Sequence, residues 1–495
     1  MGLITSSIGV FINPEHNQCC MTLTAAELFA GVGGFRLGLE GRPGSRKKGP
    51  FRVIWANQWE PSSNRQHAAE IYANRWNLEE ELQDSRVFSN GSNEVLTNIN
   101  IEEVSSSQIP AHDLLCGGFP CQDYSVARTR SGEMGIKGEK GKLWTSIRRI
   151  IDEAEPKPRI VLLENVPRLL NSPAAHRGLN FTVILNDLLD LGYDVEWRVI
   201  NAADYGFPQK RKRVFIIAYL RGLVPTPVTP GEIKQWLGSD GPFAESFPIT
   251  GKSPREKIKI ILEPNPRNKS PYKNTGYAWV DEGNNHYMLT AKTKADYAGK
   301  NQKLGDVVET LHNPDYEVVD KEKLRKYRYI KGEQKEWRIR KADMDIALAI
   351  DAGNGMNLWE YYQVLTKEYD SNSWTRSRNS SGYKLGVESG IIYNYTAGKM
   401  AFPDSLSNPS RTVVTAEIGK SVSRMRHVIE YEPGKYRRLM PVELERLNGF
   451  PPDWTKLEGT SDSRRGFLMG NALVVGIIQR LAPYIATLLH NGVDT

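Results

Sequence analysis

From Leu23 to about Tyr219 the chain alternates short, continuously apolar runs with helix-like stretches, and this alternation constrains the fold more than any other feature. The strand candidates are 23–29, 51–56, 112–116, 159–163, 194–200 and 213–219, with helical stretches such as 64–75, 143–154 and 178–190 between them. Strands that are apolar throughout, rather than at every second residue, need cover on both faces. The pattern predicts an α/β fold with a largely parallel sheet, whose ligands bind beyond the carboxyl ends of the strands.

Beyond about residue 221 the texture changes. Up to about 400, Pro, Gly, Asn, Lys and Tyr dominate and no strand–helix repeat survives, which predicts a second domain of irregular structure or long insertions. Regularity returns over 436–495, ending in an apolar helix candidate at 472–489. A length of 495 residues predicts two or three domains. The four cysteines, Cys19, Cys20, Cys116 and Cys121, are too few for a disulfide framework and lack zinc-site spacing, which points to a reducing compartment. No apolar stretch approaches the ~20 residues of a membrane span. The net charge of +7 permits an anionic partner without requiring one. Residues 1–20 have no basic leader pattern and read as an N-terminal arm.

Five segments at strand ends carry candidates for chemistry. Glu27-Leu28-Phe29-Ala30-Gly31-Val32-Gly33-Gly34-Phe35 is a glycine-rich strand-to-helix turn that lets a ligand approach the main chain, although a plain tight turn would use the same glycines. Ala56-Asn57-Gln58-Trp59-Glu60 stands where a nucleoside site would place a ribose-reading group and an adenine-stacking ring; Trp59 could equally be core. Gly117-Gly118-Phe119-Pro120-Cys121 holds a thiol at the sheet edge, and a helix starting near Gln122 would favour its thiolate. A buried, inert cysteine competes on equal terms with that reading. Leu163-Glu164-Asn165-Val166-Pro167 puts a carboxylate directly after an apolar strand, where desolvation would let it hold a proton, unless it is a surface loop Glu. Gln209-Lys210-Arg211-Lys212-Arg213 alternates two arginines onto one side of a strand start, suited to a carboxylate or phosphate; the plain alternative is a solvated edge.

Taken in order, these segments resemble the DNA cytosine-C5 methyltransferases. Arg437 to Pro451 is similar to the family's penultimate block, and Met469-Gly470-Asn471-Ala472-Leu473-Val474 to its last. The resemblance covers about 23–220 and 405–490. It implies a Rossmann-like S-adenosylmethionine-dependent methyltransferase sheet with an inserted, irregular target-recognition domain. The domains are then an arm at 1–20, a catalytic and cofactor-binding domain at 21–220, a target-recognition domain at 221–435 and a return segment at 436–495. By the same resemblance the Cys121 thiolate adds to carbon 6 of a flipped cytosine, Glu164 supports protonation of ring nitrogen 3, and carbon 5 takes the methyl group. Arg213 contacts the base or holds Glu164, Asn165 orients the loops, and Gln209 and Arg211 complete the catalytic set. Phe29, Gly31, Gly33, Gly34, Trp59, Ile101, Pro120, Leu143, Asn471 and Ala472 fall on cofactor positions. Gln58 and Asn100 stand where many members carry Glu and Asp; both amides can accept through oxygen but without charge, which predicts weaker cofactor binding. Glu60 is the alternative ribose ligand.

For DNA, Ser125, Arg411, Thr412 and Val413 fall on contacting positions by the resemblance. Lys321 to Lys341 carries ten basic and three acidic residues with Tyr327, Tyr329 and Trp337 interleaved, which suits phosphate contact, with a solvated helix face slightly preferred. Trp374 to Asn379 is a second candidate for reading bases. The resemblance implies a cytoplasmic monomer that acts on double-stranded DNA, has no membrane partner and is paired with a restriction endonuclease that it protects against. Two other readings compete: a tRNA methyltransferase on the same fold, and a non-catalytic DNA-binding regulator. The length of the recognition region and the intact Cys121, Glu164, Gln209 and Arg213 argue against them.

Overall fold

The computed structural model describes residues 22–61, 63–119, 142–173, 176–251, 257–263, 268–310, 313–320, 335–339, 344–353, 355–360, 388, 392–396, 402–418 and 426–492. Cys121, Pro120, Ser125, the arm at 1–20, Trp374 to Asn379 and most of Lys321 to Lys341 lie outside them.

The first strands are β1 (Leu23–Leu28), β2 (Phe51–Asn57), β3 (Glu79–Glu80), β4 (Val87–Ser89), β5 (Val95–Thr97), β6 (Leu114–Gly118) and β7 (Ile160–Asn165). They are followed by β8 (Tyr193–Asn201), β9 (Lys212–Leu220), β10 (Ile249–Gly251), β11 (Ile258–Lys259), β12 (Thr275–Val280) and β13 (His286–Ala291). Among the described residues, twelve of these form one sheet in the order β11-β13-β12-β8-β9-β7-β6-β1-β2-β5-β4-β3. Its centre is parallel: β1 pairs with β2 and β6, β2 with β5, and β6 with β7. β9 is inserted antiparallel between β7 and β8. Its first residues therefore reach the edge where the parallel strands end.

Helices cover both faces. α1 (Gly34–Glu40) and the C-terminal helix Val475–Asn491 pack together, with Gly38 so close to Ile478 that an added Cβ would lie 2.5 Å from it. α2 (His67–Arg75) follows β2. On the other face α3 (Lys142–Glu153) and α4 (Leu179–Asp190) bury Ile147, Ile150, Ile151, Phe181, Ile184 and Leu185 against Leu28, Leu115, Val161, Leu163, Val214 and Ile216. The strand residues in that list recur with period 2, so the alternate residues Glu27, Cys116, Gly118, Glu164 and Arg213 share the opposite face. The stretch Asp462–Asn491 is long and apolar enough to cross a membrane by composition, yet 56% of the window is buried and its second helix packs on α1. That burial is the pattern of a core helix.

Regular structure continues past the point where strand–helix alternation fades. β12 pairs antiparallel with β8 over Thr275–Ala278, and β13 and β11 extend the same sheet. Among the described residues no helix separates β11, β12 and β13 along the chain, so they leave no strand–helix signature. By compactness the chain forms two units: one up to Val308 with Ser407–Thr415 and Pro441–Thr495, the other Glu309–Leu406 with Ala416–Met440. The second unit contains the antiparallel pair Lys335–Ile339 with Ile392–Thr396 and the hairpin Val428–Glu432 with Lys435–Arg438. In it, fully buried His427 donates its backbone N–H to Glu417 Oε1 and sets its Nδ1 2.8 Å from the same oxygen.

Candidate active site

β1 hands over to α1 through three residues with positive φ: Phe29 (54°), Gly31 (57°) and Gly33 (81°). The turn is fixed by Ala30 N–H to Asn57 O and Gly33 N–H to Ala30 O, both 2.9 Å. At Gly33 a Cβ would meet the Trp76 ring at 2.2 Å, whereas at Gly31 it would meet nothing within 4 Å. The loop is thus packed hard below and open above Gly31. Gly34 faces Leu473 and Phe450, which brings the last block beside the first.

The β2 end lies alongside. Gln58 is 8% exposed, and its Oε1 accepts from Gly31 N–H at 2.7 Å. Because the partner is a main-chain donor, the orientation of this amide is settled: Nε2 faces away from the loop. Asn100 is similarly engaged, its Oδ1 accepting from Glu102 N–H at 3.2 Å, while Ile101 is buried. The oxygens that the sequence assigns to the cofactor thus each already accept one local bond. Glu60 pairs through Oε1 with Arg464 and accepts from Ala68 N–H through Oε2. Trp59, by contrast, is 39% exposed, unusual for so large an apolar ring and unlike core. A bare glycine turn beside an exposed indole, with an amide donor between, fits a nucleoside ligand. Leu143, in α3, packs at the margin of the core, and exposed Asn471 and half-buried Ala472 end the helix Asp462–Asn471.

Glu164 occupies the penultimate position of β7, opposite Gly118 in register. A Cβ on Gly118 would lie 3.1 Å from Glu164 Oε2, so the glycine makes room for the carboxylate. Arg213 Nε lies 2.8 Å from Glu164 Oε1, an ion pair whose N–H is not well aimed at that oxygen. Burial holds the Glu164 carboxyl above the ordinary carboxylate range, outweighing Arg213 and Arg211, which pull it down. Fully buried Asn165 donates from Nδ2 to Phe119 O at 2.9 Å and accepts Val166 N–H through Oδ1. It ties the turn after β7 to the last described residue before Cys121.

Arg211 and Gln209 do different work. Arg211 donates to Val413 O (3.0 Å) and Gly470 O (2.8 Å), and burial drops its guanidinium to about 9. Gln209 donates to Asn448 Oδ1 and Leu447 O and accepts Val413 N–H, while Asn448 donates to Met469 O. These buried side chains join 209–211, 413, 447–448 and 469–470. The terminal nitrogens of Arg211 and the amide of Gln209 serve the frame, and Arg213 is the member of the trio that pairs with Glu164. Val413 is 1% exposed, whereas Arg411 and Thr412 are half-buried; the Thr412 hydroxyl donates to Lys210 O at 2.6 Å. Sequence reasoning missed Asn448, Trp454 and Arg464. Asn448 stood inside a quoted block, but nothing local marks its partners.

The chain matches the model of the C-5 cytosine-specific DNA methylase family over residues 23–487. It is 36% identical over 472 residues to the type II methyltransferase M.Sau3AI of Staphylococcus aureus, covering 94% of this chain and 95% of that one. M.HhaI of Haemophilus parahaemolyticus is 32% identical over 197 residues, 40% of this chain and 49% of its own length. M.NlaIV of Neisseria lactamica is 28% identical over 407 residues, 77% of this chain and 85% of its own. A solved methyltransferase, Dnmt2 of S. pombe, superposes with a TM-score of 0.48 at 13% identity, covering 96% of this chain and 100% of its own. At that score and identity the likeness bears on neither substrate nor residue roles.

Proposed function

The chain belongs to the C-5 cytosine-specific DNA methylase family, and from that premise we propose that it methylates a flipped cytosine through a covalent adduct on Cys121. The observation that carries this reading is the placement of Glu164, a carboxyl that burial raises above the ordinary carboxylate range, paired with Arg213 on the sheet edge that leads through Gly118 to Cys121. The Cys121 thiolate attacks carbon 6, forming the C–S bond. Glu164, protonated, donates to ring nitrogen 3, so the displaced electron pair gathers at carbon 5 and makes it nucleophilic. Arg213 holds Glu164 in place and limits how far its proton affinity rises. Loss of the carbon-5 proton after methyl transfer returns electrons to the ring, breaks the C–S bond and releases Cys121. A base inside a duplex is out of reach of this edge, so the target is extruded.

S-adenosylmethionine, when bound, supplies the methyl group. Phe29, Gly31, Gly33 and Gly34 would hold it, with Gln58, Trp59, Asn100, Ile101, Pro120, Leu143, Asn471 and Ala472. The unit built from 309–406 and 416–440 serves target recognition, with Ser125, Arg411 and Thr412 contributing contacts to DNA, and buried Val413 holding the segment that carries the latter two. Double-stranded DNA in the cytoplasm is the substrate. Protection against a cognate restriction endonuclease is the role, by likeness to the type II relatives.

The test is mechanism-based trapping. DNA rich in 5-fluorocytosine, incubated with the chain and S-adenosylmethionine, is expected to give a species that survives denaturing electrophoresis, and Cys121→Ala is expected to abolish it. Absence of trapping on genomic-complexity DNA would sink the reading. The identity with M.Sau3AI runs through the recognition unit, so we expect a shared target; DNA methylated beforehand by that enzyme should accept no further label.

A further inference from the structure

We infer that residues 450–464 form a clasp that sets both cofactor loops, with Trp454 and Arg464 as its positioning residues. The clasp is built first on itself. Asp453 has a φ of 59°, a backbone conformation that a non-glycine residue keeps only under constraint. Arg75, on α2, supplies that constraint by donating to Asp453 O (2.8 Å), Trp454 O (2.7 Å) and Lys456 O (2.9 Å). Arg465 adds an ion pair to Asp453 Oδ1 at 2.9 Å.

From this rigid turn, contacts run to each loop. Trp454 Nε1 donates to Val32 O at 2.8 Å, inside the glycine turn after β1. Its ring meets Trp76 edge-on at 5.4 Å, and Trp76 is the floor against which Gly33 rests. Farther along, Arg65 donates to Glu458 O at 2.9 Å and Arg464 pairs with Glu60, both in the turn after β2 that carries Trp59. Glu60 is thereby committed to the frame, leaving Gln58 as the polar side chain beside Trp59. Neither Trp454 nor Arg464 needs to touch a ligand for this role. Each reduces the ordering that the loops must otherwise undergo on binding. This inference rests on the nucleoside site proposed above.

Calorimetry of S-adenosylmethionine with the full chain and the variants Trp454→Phe and Arg464→Met tests it. Each variant is expected to raise the dissociation constant roughly fivefold, the scale of one hydrogen bond or partly exposed ion pair. The steady-state KM for the cofactor should rise in step, with kcat at saturation retained. Because the clasp is one body, the double variant should weaken binding by less than the product of the two. Arg464→Met changes a partly exposed side chain outside the tryptophan's packing and guards against a folding defect in the tryptophan variant. Unchanged dissociation constants in both variants overturn the clasp. Absence of binding by the unaltered chain overturns the nucleoside site itself.

Discussion

Gly31 donates its main-chain N–H to Gln58 Oε1 across 2.7 Å, which makes the residue proposed to face the cofactor's ribose part of the glycine loop's own frame. A carboxylate in its place would make the same bond with one oxygen and offer the other to a ribose hydroxyl. Gln58→Glu is therefore expected to lower the dissociation constant for S-adenosylmethionine by about 3- to 10-fold, the difference between a neutral and a charge-assisted bond. Calorimetry decides; a constant that stays put would mean that the amide donor serves as well.

The two glycines ending β6 predict opposite phenotypes. At Gly118 an added Cβ would reach Glu164 Oε2 at 3.1 Å, a contact a side chain can yield to. Gly118→Ala should fold, yet lower kcat by roughly 10- to 100-fold, because a displaced acid no longer meets the base. At Gly117 the same atom would lie 2.6 Å from Leu28 O, in the neighbouring strand, which cannot yield. Gly117→Ala should instead cost stability and soluble yield. Equal kcat for the Gly118 variant and the parent would remove Glu164 from the reaction.

Glu164 and Arg213 together fix a pH dependence. Burial raises the Glu164 carboxyl and Arg213 opposes that rise. The donating form is the protonated one, so activity should fall as pH climbs through the raised value. Arg213→Gln removes a lowering influence, and the alkaline limb of kcat/KM should then move to higher pH while kcat drops. A limb that stays fixed, or moves down, would assign the titration to another group.

How far the site could be read from the sequence follows from the range of the interactions. Glu164, Arg213 and the glycine loop announce themselves because strand periodicity and turn chemistry are local, and both place them on one edge. The state of Gln58 was not legible: its chemistry suggests an acceptor for a ligand, while the fold uses that oxygen for Gly31. Trp454 and Arg464 were less legible still, since their partners Val32 and Glu60 lie 422 and 404 residues away. β12 was hidden for a related reason. Its partner β8 is far back in the chain, and with no helix among the described residues between it and β11 or β13 this stretch looks like irregular insertion. Val413 shows the converse. A match by sequence block places it among DNA contacts, whereas its side chain is in the core and its main chain serves Gln209 and Arg211.

Glu27 offers a stability test independent of the reaction. It is fully buried behind the glycine loop, accepts from Tyr72 Oη at 3.2 Å, and burial lifts its carboxyl from the ordinary 4.5 to about 8 despite Arg36. The sign follows from proton counting. Below the unfolded value both states are protonated and the group is neutral to stability. Between about 4.5 and 8 the unfolded chain releases the proton and the native chain keeps it, so stability falls as pH rises through that window. Gln is isosteric, still accepts from Tyr72, and does not titrate. Glu27→Gln should therefore melt a few degrees higher than the parent at pH 8, with the gap closing toward pH 5. Scanning calorimetry across that range reads the difference directly, and parallel melting curves at every pH would show that Glu27 is charged in the native chain, held so by Arg36.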